Sequence, residues 1–100
     1  MSTTIAQNIL AQLGGNRFIA MTGAKNLCAG SNSLQFHIGR GAINKANVVR
    51  VTLETSDTYI VEFFSVRGVN VRTCGEADRM IYGDRLAALF TERTGLDTHL

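Results

Sequence analysis

Two alternating apolar runs on either side of a short polar turn constrain this chain most. Val49, Val51 and Leu53 alternate with Arg50, Thr52 and Glu54. Thr55, Ser56 and Asp57 intervene, and Tyr59, Val61 and Phe63 then resume the pattern. Successive side chains of a strand point to opposite faces, so each run presents one apolar face. The spacing predicts an antiparallel hairpin. The second run also carries Ile60 and Phe64 on its other side. That predicts either a strand covered on both faces or one face that meets a partner. The chain has no proline, so its turns must come from Gly, Asn, Ser and Asp.

Around this hairpin the pattern predicts further elements. Residues 4–13 read as a short helix, with Thr4 and Gln7 at capping-box spacing and Ile5, Ile9 and Leu13 on one stripe. Gly14 and Gly15 end it. Arg17 to Met21 reads as a short strand and residues 22–32 as a loop. Leu34, Phe36 and Ile38 mark a half-buried strand, followed by an irregular basic stretch from Gly39 to Asn47. Val69, Val71 and Thr73 mark another strand, with Arg72 facing outward. From Ala77 to Thr94 the period becomes helical, with Tyr82, Leu86, Leu89 and Phe90 on one stripe and Gly95 as the stop. Asp78 and Arg93 suit the two ends of that helix dipole. Gly83 lies inside it, where glycine costs about 1 kcal/mol against alanine and permits a close approach. The sum is an α+β single domain over residues 1–100: a short N-terminal helix, a four- to five-stranded antiparallel sheet, and a C-terminal helix packed on one face.

Charge is unevenly distributed along the chain. Residues 1–53 hold five cations, Arg17, Lys25, Arg40, Lys45 and Arg50, and no carboxylate. Residues 54–100 hold five arginines and all eight carboxylates. Such asymmetry points to a charged partner and is concealed by the net charge of +2. The cations Arg17, Lys25, Arg40, Lys45, Arg50 and Arg72 are the candidate partner- or phosphate-binding set. A nucleic-acid surface wants such cations, because neutralising phosphates releases counterions. The alternative is scattered solvated charge. Gly39 to Lys45 is the best local candidate for cradling a phosphate. It matches neither the GxxxxGK[ST] nor the GxGxxG pattern, and its plain alternative is a solvated connection.

Catalytic and metal chemistry find little footing. Cys28 and Cys74 are far apart in sequence, form no CxxC, and have no nearby histidine, which excludes a usual zinc site. Two free, partly buried thiols are the expectation. Either cysteine with His37 would make a nucleophile–base pair only if the fold brought them together, and His99 falls on a terminal tail. The reading is therefore not an enzyme, with no cofactor and no metal. No apolar run reaches the ~18–20 residues of a membrane span, and no basic signal region opens the chain. A soluble intracellular protein without membrane contact is expected. The Tyr82/Leu86/Leu89/Phe90 stripe is core first and a homodimer face second.

Two strings carry a resemblance: Gly15-Asn16-Arg17-Phe18-Ile19-Ala20-Met21-Thr22-Gly23-Ala24-Lys25-Asn26, and Phe90-Thr91-Glu92-Arg93-Thr94-Gly95-Leu96. With them, the chain resembles a group of small accessory proteins of bacteriophages, prophages and other mobile elements. Cys28 to Gly30 and Val66 to Asp78 depart from that pattern. The resemblance implies binding without chemistry in the cytoplasm of a host bacterium. Blocking a host nucleoprotein machine is the leading expectation, with inhibition of a defence system such as CRISPR interference its sharpest form. Direct, sequence-independent nucleic-acid binding is the alternative. Under the blocking reading a basic face competes for an acidic partner, or Asp78, Asp84 and Glu92 mimic nucleic acid, against which the interspersed Arg79, Arg85 and Arg93 argue.

Overall fold

The computed structural model describes residues 4–38, 45–75 and 77–96. Its helices are α1 (Thr4–Leu13), α2 (Asn16–Thr22) and α3 (Leu86–Thr94), the last preceded by a 3₁₀ turn at Gly83–Arg85. Its strands are β1 (Lys25–Ala29), β2 (Ser33–His37), β3 (Val48–Leu53), β4 (Tyr59–Arg67), β5 (Asn70–Thr73) and β6 (Asp78–Ile81). All pairings are antiparallel, in the order β1-β2-β3-β4-β5, with β6 also on β4. The α+β architecture is the expected one, with six strands and a second N-terminal helix among the described residues. No described helix is long and apolar enough to cross a membrane.

The predicted hairpin is the centre of the sheet. Val49 faces Phe63, Val51 faces Val61 and Leu53 faces Tyr59. The Glu54 and Asp57 amides close the turn, donating to the Thr58 and Glu54 carbonyls. Leu34 and Phe36 of β2 face Val51 and Val49, extending the apolar face. The helices cover this face. Phe18, Phe36 and Phe90, from α2, β2 and α3, are fully buried; Phe18 meets each of the others edge-on at 5.1 Å. Ile9, Leu13 and Leu86 close the core around them. Each such side chain contributes about 1.5–3 kcal/mol of burial.

Four expectations fail, each for a local reason. Arg17 to Met21 is helical, because Phe18 and Thr22 at i, i+4 bury one side and the Thr22 hydroxyl donates to the Phe18 carbonyl at 2.7 Å. The predicted loop contains β1, an edge strand with every residue exposed and a bulge beside Asn26, whose φ is +55°. Exposure removes the alternation by which a strand is read. The helix predicted from Ala77 is three pieces: β6, the 3₁₀ turn and α3. Tyr82 therefore leaves the stripe and is exposed, while Leu86, Leu89 and Phe90 stay buried. Asp78 sits in β6 rather than at a helix start, and accepts two hydrogen bonds from the Arg93 guanidinium, at 2.8 and 3.1 Å. Finally, β5 exists with its faces reversed. Val71 pairs with Val66 and Arg72 with Ser65, so Val71 shares a face with Phe64, and Arg72 shares the side of Phe63.

The other sheet face carries no described helix. There Ile60, Phe64 and Val66 are half-buried and Val71 is exposed. Val48, paired with Phe64 on this same face, is buried, so the face is partly covered.

Candidate functional site

The six candidate cations do not form one surface. Arg17 lies on α2, in the helical layer, and Arg40 lies outside the described residues. The phosphate-cradle candidate Gly39 to Lys45 also falls outside them, apart from Lys45. Arg50 and Arg72, expected on a common face, are on opposite faces, because β5 continues the parity of β4 through its register. Lys25 pairs with His37 and Arg50 with Gln35, placing both cations on the face that carries no described helix.

Lys45 and Arg72 do converge. With Arg67, which the sequence reading missed, they line a cleft of about 700 Å³. Ser65, Asn70, Thr73 and Cys74 supply polar lining, and no carboxylate is among the described lining residues. Among the described residues, no salt bridge engages Lys45, Arg67 or Arg72. Three cations around one cleft repel each other and favour an anion between them.

Local chemistry builds this arrangement. Gly68, at φ +61°, is the first of two turn residues between the paired Arg67 and Asn70. Positive φ at that position alone is the type II′ hairpin pattern, which glycine satisfies without a Cβ penalty. The turn makes Arg67 and Arg72 diagonal neighbours on one face, within reach of a shared ligand. β5 is exposed along its length, so that face is open to solvent here. Lys45 arrives from the other side of β4. The Asn47 side chain accepts from the Val66 amide and donates to its carbonyl, both at 2.8 Å, and the Asn47 amide donates to the Phe64 carbonyl at 2.9 Å. This clamp ties the segment carrying Lys45 to the base of the hairpin. Arg67-Gly68 at a two-residue turn was the available signal for the missed cation.

Other groups are arranged differently. Cys28 and Cys74 are free thiols, Cys28 exposed on β1 and Cys74 half-buried at the cleft. No hydrogen bond joins His37 to either among the described residues, and His99 lies outside them. No group of three metal-ligating side chains occurs among the described residues. The candidate nucleic-acid mimics are partly neutralised: Arg93 binds Asp78 and lies 3.8 Å from Glu92. Hydrogen bonding to Asp78 and then its charge push the Arg93 pKa up.

The chain matches no protein-family model, no curated protein and no solved structure.

Proposed function

We propose that this protein is a non-enzymatic binding module whose cleft grips the phosphate backbone of a nucleic acid without reading its sequence. One observation carries the reading: Lys45, Arg67 and Arg72 line a single cleft with no carboxylate among its described lining residues. Phosphate contacts by cations position a strand and carry no base information. The test is fluorescence polarisation with labelled DNA and RNA at two salt concentrations. Binding that weakens steeply with salt, and that is lost in Arg67→Glu/Arg72→Glu, supports the reading. Absence of binding at low salt overturns it.

A second reading keeps the chain as a mobile-element accessory protein that blocks a host nucleoprotein machine. The favouring observation is exposed apolar surface at the cleft: Val69 is 97% exposed at the hairpin tip and Val71 62% beside it. Exposed apolar groups beside cations suit an acidic protein partner. Pull-down from host lysate tests it: a specific nucleoprotein complex, released by Val69→Ser/Val71→Ser, is the expected result. Retention of the complex by that variant removes the hairpin tip as its seat.

A further inference from the structure

β5 ends the path of paired strands, so among the described residues no strand pairs with its outer edge. Hydrogen bonding fixes which backbone groups that edge offers. The Cys74 amide donates to the Phe63 carbonyl at 2.8 Å, so Cys74 turns its backbone toward β4. Backbone direction alternates along an antiparallel strand, so Asn70 and Arg72 do the same. Val71 and Thr73 therefore turn their N–H and C=O groups outward. Natural edges are blunted by bulges, as β1 is beside Asn26. β5 lacks that defence: its register with β4 is unbroken, and the nearest positive φ angles are outside it, at Gly68 and Gly75. The side chains beside this edge differ by face. Arg67 and Arg72 share one face with Ser65, while Val71 shares the other with Val66 and Phe64. The cleft follows β5, since consecutive residues from Asn70 to Cys74 line it.

We propose that β5 accepts an extended segment of a protein partner as a further strand, its acidic side chains toward Arg67, Arg72 and Lys45 and its apolar ones toward Val71. This rests on the second reading above and gives that partner a chemistry. Backbone bonds to the outward groups of Val71 and Thr73 supply affinity, and alternate side chains supply specificity. Charge decides against a second copy of this chain as the occupant. Antiparallel pairing of β5 with its own equivalent, centred on Val71 or on Arg72, sets Arg72 diagonal or opposite to the other copy's Arg72. Like charges so placed are destabilising, whereas carboxylates at the same positions are favourable. A nucleic acid answers the cations but carries no row of amides at strand spacing to meet the edge.

The probe is a synthetic peptide of about eight residues alternating Glu and Val, compared with a block peptide of the same composition and with inorganic polyphosphate. Val71→Pro removes an outward N–H and leaves the β4 ladder intact, as proline does on natural edges. Val71→Thr keeps that N–H and the β-branched shape. The alternating peptide is expected to bind, and the block peptide to bind about tenfold more weakly. Val71→Pro should weaken the alternating peptide about tenfold, the effect of one lost hydrogen bond, and Val71→Thr should do so less than about threefold. Unchanged polyphosphate binding shows that Val71→Pro is folded; if it is not, the block peptide decides. Equal binding of the two peptides, or wild-type peptide binding by a folded Val71→Pro, overturns strand addition. If the alternating peptide fails to bind while Val69→Ser/Val71→Ser still releases a host complex, the second reading survives and the added strand is removed from it. If an oligonucleotide binds the cleft and neither peptide does, the occupant is a nucleic acid and the proposal falls.

Discussion

At the scale of single residues, Asn47 does more than its type suggests. Its amide group substitutes for a strand partner, satisfying both backbone groups of Val66. Asn47→Ala leaves these groups without their partners, at a cost of about 1–3 kcal/mol. Urea denaturation should show that loss, together with weaker anion binding as Lys45 loses its anchor. A midpoint equal to wild type would remove the clamp from the account. Phe18 is simpler: it touches both other buried rings, and Phe18→Ala should cost about 3–5 kcal/mol by the same measurement. Gly83 shows how a close approach can be tolerant. An added Cβ would lie 3.0 Å from Gln12 Nε2, the movable end of an exposed side chain. Gly83→Ala should therefore shift stability by no more than about 1 kcal/mol. The candidate site was only partly legible at this scale. Composition marked Lys45 and Arg72 as cations of interest. It could not show that Arg67 joins them, because convergence depends on register and on a side-chain clamp between residues far apart in sequence.

Among the elements, legibility followed burial. The β3–β4 hairpin was readable because one face is core and the other is not, which imprints a period of two. β1 was unreadable because it is exposed throughout and kinked at Asn26. β5 was readable as a strand but not in its facing, since Val69 and Val71 are apolar residues that face solvent. β6 hid inside a helical pattern because Leu86, Leu89 and Phe90 dominate the window, while Met80, at φ +57°, breaks it. α3 and β6 are joined by the Arg93–Asp78 pair, with the arginine about half exposed. Its contribution is accordingly modest, under about 1 kcal/mol. A group with a raised folded pKa contributes stability that is complete below its unfolded pKa and lost only as pH rises through the folded value. For Arg93 that window lies in strong alkali. The destabilisation by Arg93→Gln should therefore be the same at pH 7 and pH 9 in denaturation curves. A difference that shrinks across this range would contradict the pairing.

For the whole molecule, the core and the cleft occupy different parts of the sheet. Hydrogen exchange should protect β3 and the first half of β4 most, and expose β1 and β5 first. A nucleic acid gripped by three cations should lose affinity with a log–log salt slope of about −2 to −3, since each phosphate contributes about −0.7 to −0.9. A slope near zero would mean that the cations make no phosphate contacts. The edge of β4 is divided between two short partners, β5 toward the cleft and β6 toward α3. That division makes the binding hairpin an interchangeable part. Its tip can be lengthened, shortened or rewritten while the aromatic centre remains as it is, so one scaffold can be refitted for different ligands by editing a handful of codons.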